Sequence, residues 1–181
     1  MKIKKVIILL IVSFGFLPFS IKGNPGYPVP PKTKKLLFYI QRNHNKNTIV
    51  YDANFDKSGS LNKDNPIHVY WIRYEEQGQT MKLRTIEKMF AYGVKCSKLN
   101  NKKNEYKVEL VATNKRDFLL KQDAPFHAAI YTKINGKPAK LEHLYIFADN
   151  SGFWPKVIYI ELFGKDATTG KSVYEKMLID Q

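Results

Sequence analysis

The stretch Ala128-Ala-Ile-Tyr-Thr-Lys-Ile134-Asn135-Gly136-Lys-Pro-Ala-Lys-Leu141-Glu-His-Leu-Tyr-Ile-Phe-Ala148 decides the fold. Two runs of strand-forming residues, 128–134 and 141–148, flank Asn135-Gly136. Both turn residues tolerate the positive φ of a two-residue type I′ hairpin, so the stretch reads as two antiparallel strands. Working outward, apolar residues recur with period two and are broken at short intervals by turn residues. The further strand candidates are 36–42, 48–51, 67–74, 94–99, 106–113, 118–121, 156–163 and 173–179. Asn150-Ser151-Gly152 and Thr169-Gly170 mark further turns.

One helix stands out among them. Leu83, Ile86, Met89 and Phe90 fall on one helical face, and Gly93 follows where a left-handed cap would sit. Many short strands with tight turns and one short α-helix give a mainly β chain. The expected architecture is an antiparallel β-barrel or barrel-like sheet, of which a lipocalin-like shape is one form. Alternation assigns Phe38, Ile40, Tyr106, Val108, Leu110, Ala128, Ile130, Ile158, Ile160 and Leu162 to the buried face. Lys107, Glu109 and Lys133 face water.

Before the first strand the composition changes. Lys2, Lys4 and Lys5 precede an apolar run from Val6 to Phe19, with Gly23 just beyond. That order of parts is a secretory signal over residues 1–23. The run is shorter than the roughly 20 residues needed to span a bilayer, so no transmembrane helix is expected once it is cleaved. No Cys follows it to carry a lipid. Residues 24–35 include Pro25, Pro28, Pro30 and Pro31 and read as an extended leader. Residues 36–181 are then a single β-rich domain. Cys96, the one cysteine, precludes an intramolecular disulfide and reads as a buried small hydrophobe.

The chain carries 30 basic and 16 acidic residues, a formal charge of +14. Loss of Lys2, Lys4, Lys5 and Lys22 takes 30 to 26 basic residues against 16, a net of +10. Such a surplus favours an anionic envelope surface. Export removes nucleic acid as a partner, and the lysines are scattered rather than arranged in a strip that could follow phosphates. Nothing in the pattern fixes an oligomeric state.

The other strand face mixes tyrosine and histidine: Tyr39, His127, Tyr131 and Tyr159, then His68-x-Tyr70-x-Ile72-x-Tyr74 and His143-x-Tyr145-x-Phe147. These side chains join an apolar body to a polar tip, which suits sugar rings or a semi-polar cavity. His68, Tyr70, His127 and Tyr131 are therefore candidate ligand-binding residues. Arg42 and Arg73, near strand ends, are candidates for an anionic group on the ligand.

Catalytic signatures are weak. His44, His68, His127 and His143 show no helical or ribbon metal spacing. The series Asp52, Asn54, Asp56, Gly59 starts like a calcium loop, but Lys57 and Lys63 replace the glycine and glutamate that such a loop needs. There is no nucleophile elbow and no glycine-rich phosphate loop. No metal and no cofactor are called for, and no catalytic residue is assigned.

Three strings carry a resemblance: Phe38-Tyr-Ile-Gln-Arg42, Asn47-Thr-Ile-Val-Tyr-Asp52, and Asn65-Pro-Ile-His-Val-Tyr-Trp-Ile-Arg-Tyr74. With Phe90-Ala-Tyr-Gly-Val94 they are similar to domain-of-unknown-function family 4833, small exported bacterial proteins with no assigned activity. The resemblance implies a bacterial envelope protein and transfers no catalytic residue. The expected function is a periplasmic or secreted binding module for a small apolar or glycan-like ligand. The alternatives are a small envelope hydrolase or isomerase with His68 or His127 as general base, and a structural or interaction protein of the envelope.

Overall fold

The structure is a computed structural model that describes residues 26–100, 102, 104–111, 113–152 and 155–179, and the side chains of all of these except 113–115. The expected signal, with Asn24 and Pro25 of the leader, lies outside the described residues. The strands are β1 (Leu36–Arg42), β2 (Asn45–Ala53), β3 (Ile67–Arg73), β4 (Gln79–Lys82), β5 (Val94–Lys98) and β6 (Glu105–Leu110). They continue with β7 (Thr113–Ala124), β8 (His127–Ile134), β9 (Lys137–Asp149), β10 (Lys156–Asp166) and β11 (Ser172–Leu178). A short helix, α1 (Thr85–Glu87), runs on into a π-wound turn, Lys88–Tyr92. No helix among the described residues is long and apolar enough to cross a membrane.

The chain is mainly β, and its sheet curls into an open half-barrel. The hairpin expected from Asn135-Gly136 forms between β8 and β9, with φ of 49° and 76° at the two turn residues. The sheet order is β4-β3-β2-β1-β9-β8-β7-β6-β5, with β10 on the other edge of β9 and β11 beyond it. One edge of β9 therefore serves two partners. Lys137–Lys140 pairs with β8, and from His143 to Ile146 the same edge pairs with β1. The β1–β9 pairing is parallel, the one departure from antiparallel pairing among the described strands.

A bulge makes the exchange of partners geometrically feasible. Phe163 pairs with His143 and Gly164 with Leu141, which leaves Glu142 unpaired. An extra residue re-aims those that follow it. Leu141 and Leu144 accordingly both point into the core although they are three residues apart. Gly164 lies so close to the bulge that a Cβ would sit 2.3 Å from the Lys140 carbonyl oxygen.

The core fills the inside of the curl with Phe38, Ile49, Tyr51, Val108, Leu120, Ile130, Ile134, Leu141 and Leu162. Phe38 stacks on Tyr51 at 4.2 Å. The helix reverses the expected orientation. Leu83 is buried just before it, but Ile86, Met89 and Phe90 are exposed. The wider π winding changes the angular phase after Glu87, and Ala91 and Tyr92 turn inward instead. Gly93 is extended, with φ −68° and ψ 162°, not left-handed. Glycine is needed there for space, since a Cβ would meet the Lys88 carbonyl oxygen at 2.0 Å.

The leader also has a place on the domain. The Gln41 amide donates to Pro28 O at 3.0 Å, the Tyr74 hydroxyl to Val29 O at 3.3 Å, and Tyr27 packs edge-on against Tyr145 at 5.5 Å.

Candidate functional site

Inside the half-barrel, alternate residues of distant strands converge on an apolar cleft. Ile40 of β1, Tyr51 of β2, Leu110 of β6, Phe118 of β7, Leu144 and Ile146 of β9, Ile160 and Leu162 of β10, and Met177 of β11 line it. Ala91 and Tyr92 of the π turn close one side. The cleft has a volume of about 30 Å³, enough to admit a water molecule. The lid is anchored by the buried Tyr51 hydroxyl, which donates to Tyr92 O at 2.9 Å.

Arg116 lines this cleft, and Arg42 contacts its Tyr92 wall. The Arg42 guanidinium lies 4.7 Å from the Trp71 ring centre and 5.5 Å from that of Tyr92, and Arg42 Nη1 donates to the Tyr92 hydroxyl. Arg42 Nη2 reaches Asn45 Oδ1 at 3.4 Å, while the buried Nε has no partner among the described residues. Buried donors are rarely left unpaired. Arg116 is fully engaged: it meets Glu175 at 2.5 and 3.2 Å, Met177 Sδ at 2.7 Å, and the Lys133 carbonyl. Burial works to raise the Glu175 pKa, but the Arg116 and Asn135 hydrogen bonds outweigh it and hold the carboxyl below its ordinary value.

On the outer face a second opening of about 430 Å³ lies between the leader (Val29, Pro30, Lys32, Thr33) and Tyr39, Lys140, Glu142 and His143. Its floor is part of an aromatic row across four strands. Tyr39 stacks on His143 at 5.0 Å, His143 on Phe163 at 4.2 Å, and Phe163 leans on Tyr174 at 5.1 Å. Burial lowers the His143 pKa to about 4, so the ring is neutral near pH 7. Burial, with a smaller effect of Glu142, raises the Tyr39 hydroxyl to about 12.

The candidate residues read from the sequence divide among separate places. Arg42 does not line the inner cleft but packs on Tyr92, one of its walls. His68 and Tyr70 share the outer face of β3, their rings 5.2 Å apart. The Tyr70 hydroxyl donates to Asp52 Oδ2 at 3.2 Å, and burial, more than this bond, sets the Asp52 pKa, which is raised. Arg73 ends the same strand in an ion pair with Glu76 at 2.6 Å. His127 meets Asp123 on the exposed β7–β8 turn, with side chains 57% and 66% accessible, outside either opening. Tyr131 lies on β8 with Lys121 5.8 Å above its ring. Asp56 of the calcium-like series takes up its carboxylate Oδ1 with Ser58 N, Ser58 Oγ and Ser60 N. Among the described residues no three His, Cys, Asp or Glu side chains gather as a metal set. Cys96 is half-buried, and burial raises its thiol to about 11.

Sequence reasoning missed Arg116, Glu175 and Tyr92. Arg116 and Glu175 are 59 residues apart, and no local spacing joins them. Tyr92 was visible only as part of a string, because the lid's winding, not its composition, turns it inward.

Comparison with known proteins gives a family and adds no activity. Residues 38–176 match the family model described as Domain of unknown function (DUF4833), and the chain belongs to that family. Neither the curated proteins nor the solved structures contain a match to it.

Proposed function

We propose that this member of a family of unknown function is a binding module of the bacterial envelope, which holds a slender apolar ligand with one anionic end. The observation that carries the reading is the apolar cleft whose Tyr92 wall is bonded to Arg42, a guanidinium with its buried Nε lacking a partner among the described residues. The cleft has a volume of only about 30 Å³, so a ligand enters as the Lys88–Tyr92 turn swings away. That movement frees Arg42 from the Tyr92 hydroxyl and leaves its guanidinium available to a carboxylate or sulfonate. Burial of an alkyl chain supplies about 0.8 kcal/mol per methylene, less the cost of opening.

Titration with 1-anilinonaphthalene-8-sulfonate, an apolar body with one anionic group, tests the reading. Saturable fluorescence enhancement that a medium-chain fatty acid displaces is expected. Ile146→Trp, which fills the cleft, should abolish it, and Arg42→Gln should weaken it about tenfold. Binding unchanged in both variants would remove the cleft as the site.

A second reading is favoured by the outer groove. Its volume of about 430 Å³ and its Tyr39–His143 stack suit a ring-shaped polar ligand such as a glycan unit. Chemical shifts of His143 that move on addition of soluble envelope glycan, while those of Ile146 stay fixed, would favour this reading over the cleft.

A further inference from the structure

The lid that closes the cleft presents a second, outward face. Ile86, Met89 and Phe90 are 59%, 60% and 72% exposed, and Met81 nearby is 41% exposed. These are large apolar side chains gathered on one short segment, and the described structure covers none of them. Side chains of this kind are ordinarily buried, and a contiguous exposed group of them marks a contact surface.

The charges around the group indicate what the contact is. Between positions 81 and 98 stand Lys82, Arg84, Lys88, Lys95 and Lys98, against Glu87 alone. Glu87 is itself occupied: it receives Arg84 at 2.9 Å and the Trp71 indole N–H at 3.3 Å. The segment is thus an apolar tip flanked along the chain by cations, on a chain whose formal charge is +14. A partner protein or a second copy of this basic chain would have to bring acidic residues to those cations. An anionic bilayer supplies negative headgroups to the flanking cations and acyl chains to the tip.

We propose that the segment from Met81 to Tyr92 docks the protein on the surface of an anionic phospholipid bilayer, with Ile86, Met89 and Phe90 inserted among the acyl chains. Insertion holds the protein at the interface with the lid against the lipid. Because Ala91 and Tyr92 of the same segment wall the inner cleft, docking would also bias the lid toward opening. That last step rests on the binding reading above, whereas the docking itself does not.

The test is cosedimentation with vesicles, with no ligand present. Wild-type protein should pellet with vesicles of phosphatidylcholine containing about a third phosphatidylglycerol, stay soluble with pure phosphatidylcholine, and be released by high salt. The double variant Met89→Glu/Phe90→Glu should bind at least about tenfold more weakly, as should Lys82→Glu/Lys88→Glu. All four positions are exposed, so melting temperatures should match wild type. Leu178→Glu, at an apolar residue 71% exposed on β11, should leave binding unchanged. Three results would overturn the proposal: no pelleting of wild type, equal pelleting of the Met89/Phe90 variant, or a wild-type dimer that this variant converts to monomer. Ligand titration of the same variants in solution keeps the two proposals apart, since a docking-dead protein that still binds the fluorophore loses only the docking.

Discussion

A methyl group on the α-carbon of Gly164 would stand 2.3 Å from the carbonyl oxygen of Lys140, with Ile134 Cδ1 at 2.8 Å beside it. The clash is with backbone where β8, β9 and β10 meet, so no side-chain rotation relieves it. Gly164→Ala should therefore destabilise the fold by about 1–3 kcal/mol, the range for overpacking a tight site. Urea unfolding checks this. A change within error of wild type would mean that β10 can slide at the bulge.

The Arg116–Glu175 pair joins β7 to β11 at partial burial, with side chains 18% and 21% accessible. Glu175→Ala leaves a partly desolvated guanidinium without its carboxylate partner and should cost about 1–3 kcal/mol. Arg116→Met with Glu175→Leu should cost less than the two single changes together. Additive costs in a double-mutant cycle would show that the pair is not coupled.

His143 gives the fold a defined response to acid. Its folded pKa of about 4 lies below the ordinary value of 6.5, because the stack between Tyr39 and Phe163 removes the ring from water. Above pH 6.5 neither the folded nor the unfolded chain protonates this ring. As the pH falls from 6.5 toward 4 the unfolded chain takes up a proton that the folded chain refuses, so stability is lost across that window. The loss should be about 1–3 kcal/mol. His143→Phe keeps the stack and removes the titration, so the fall in stability between pH 7 and pH 5 should be shallower in the variant. Parallel pH profiles would assign the acid sensitivity to other groups.

Tyr92→Phe removes one acceptor of Arg42, while Asn45 and the Tyr51 bond to the Tyr92 carbonyl stay. Amide hydrogen exchange across residues 85–92 should rise about tenfold with little change elsewhere. A uniform rise over the whole chain would indicate global destabilisation rather than lid opening.

What the sequence revealed follows from how local each determinant is. The Asn135-Gly136 turn is fixed by two adjacent residues, and the alternation of Tyr106, Val108 and Leu110 by a single strand, so both were legible. The aromatic row was legible as composition: Tyr39, His143 and Tyr145 do share one outer region, but His127 and Tyr131 lie on the other arm of the sheet. The parallel β1–β9 ladder was not legible, because nothing in either strand names its partner. The lid failed for a different reason. Its residues have helical spacing, yet Ile86 on α1 and Met89 and Phe90 on the π turn all face outward.

The ladder between β1 and β9 also sets an order in time. Asn43 and Ala148 exchange two hydrogen bonds, 2.8 and 2.9 Å long, across 105 positions of sequence. A ribosome delivers the chain from its N-terminus, so the β1–β4 meander waits for its neighbour until residue 148 of 181 has emerged. Contacts of such long range close late and slowly. Until then Phe38, Ile40 and Tyr51 have only one side of their core, and a nascent chain cut short before β9 cannot complete it.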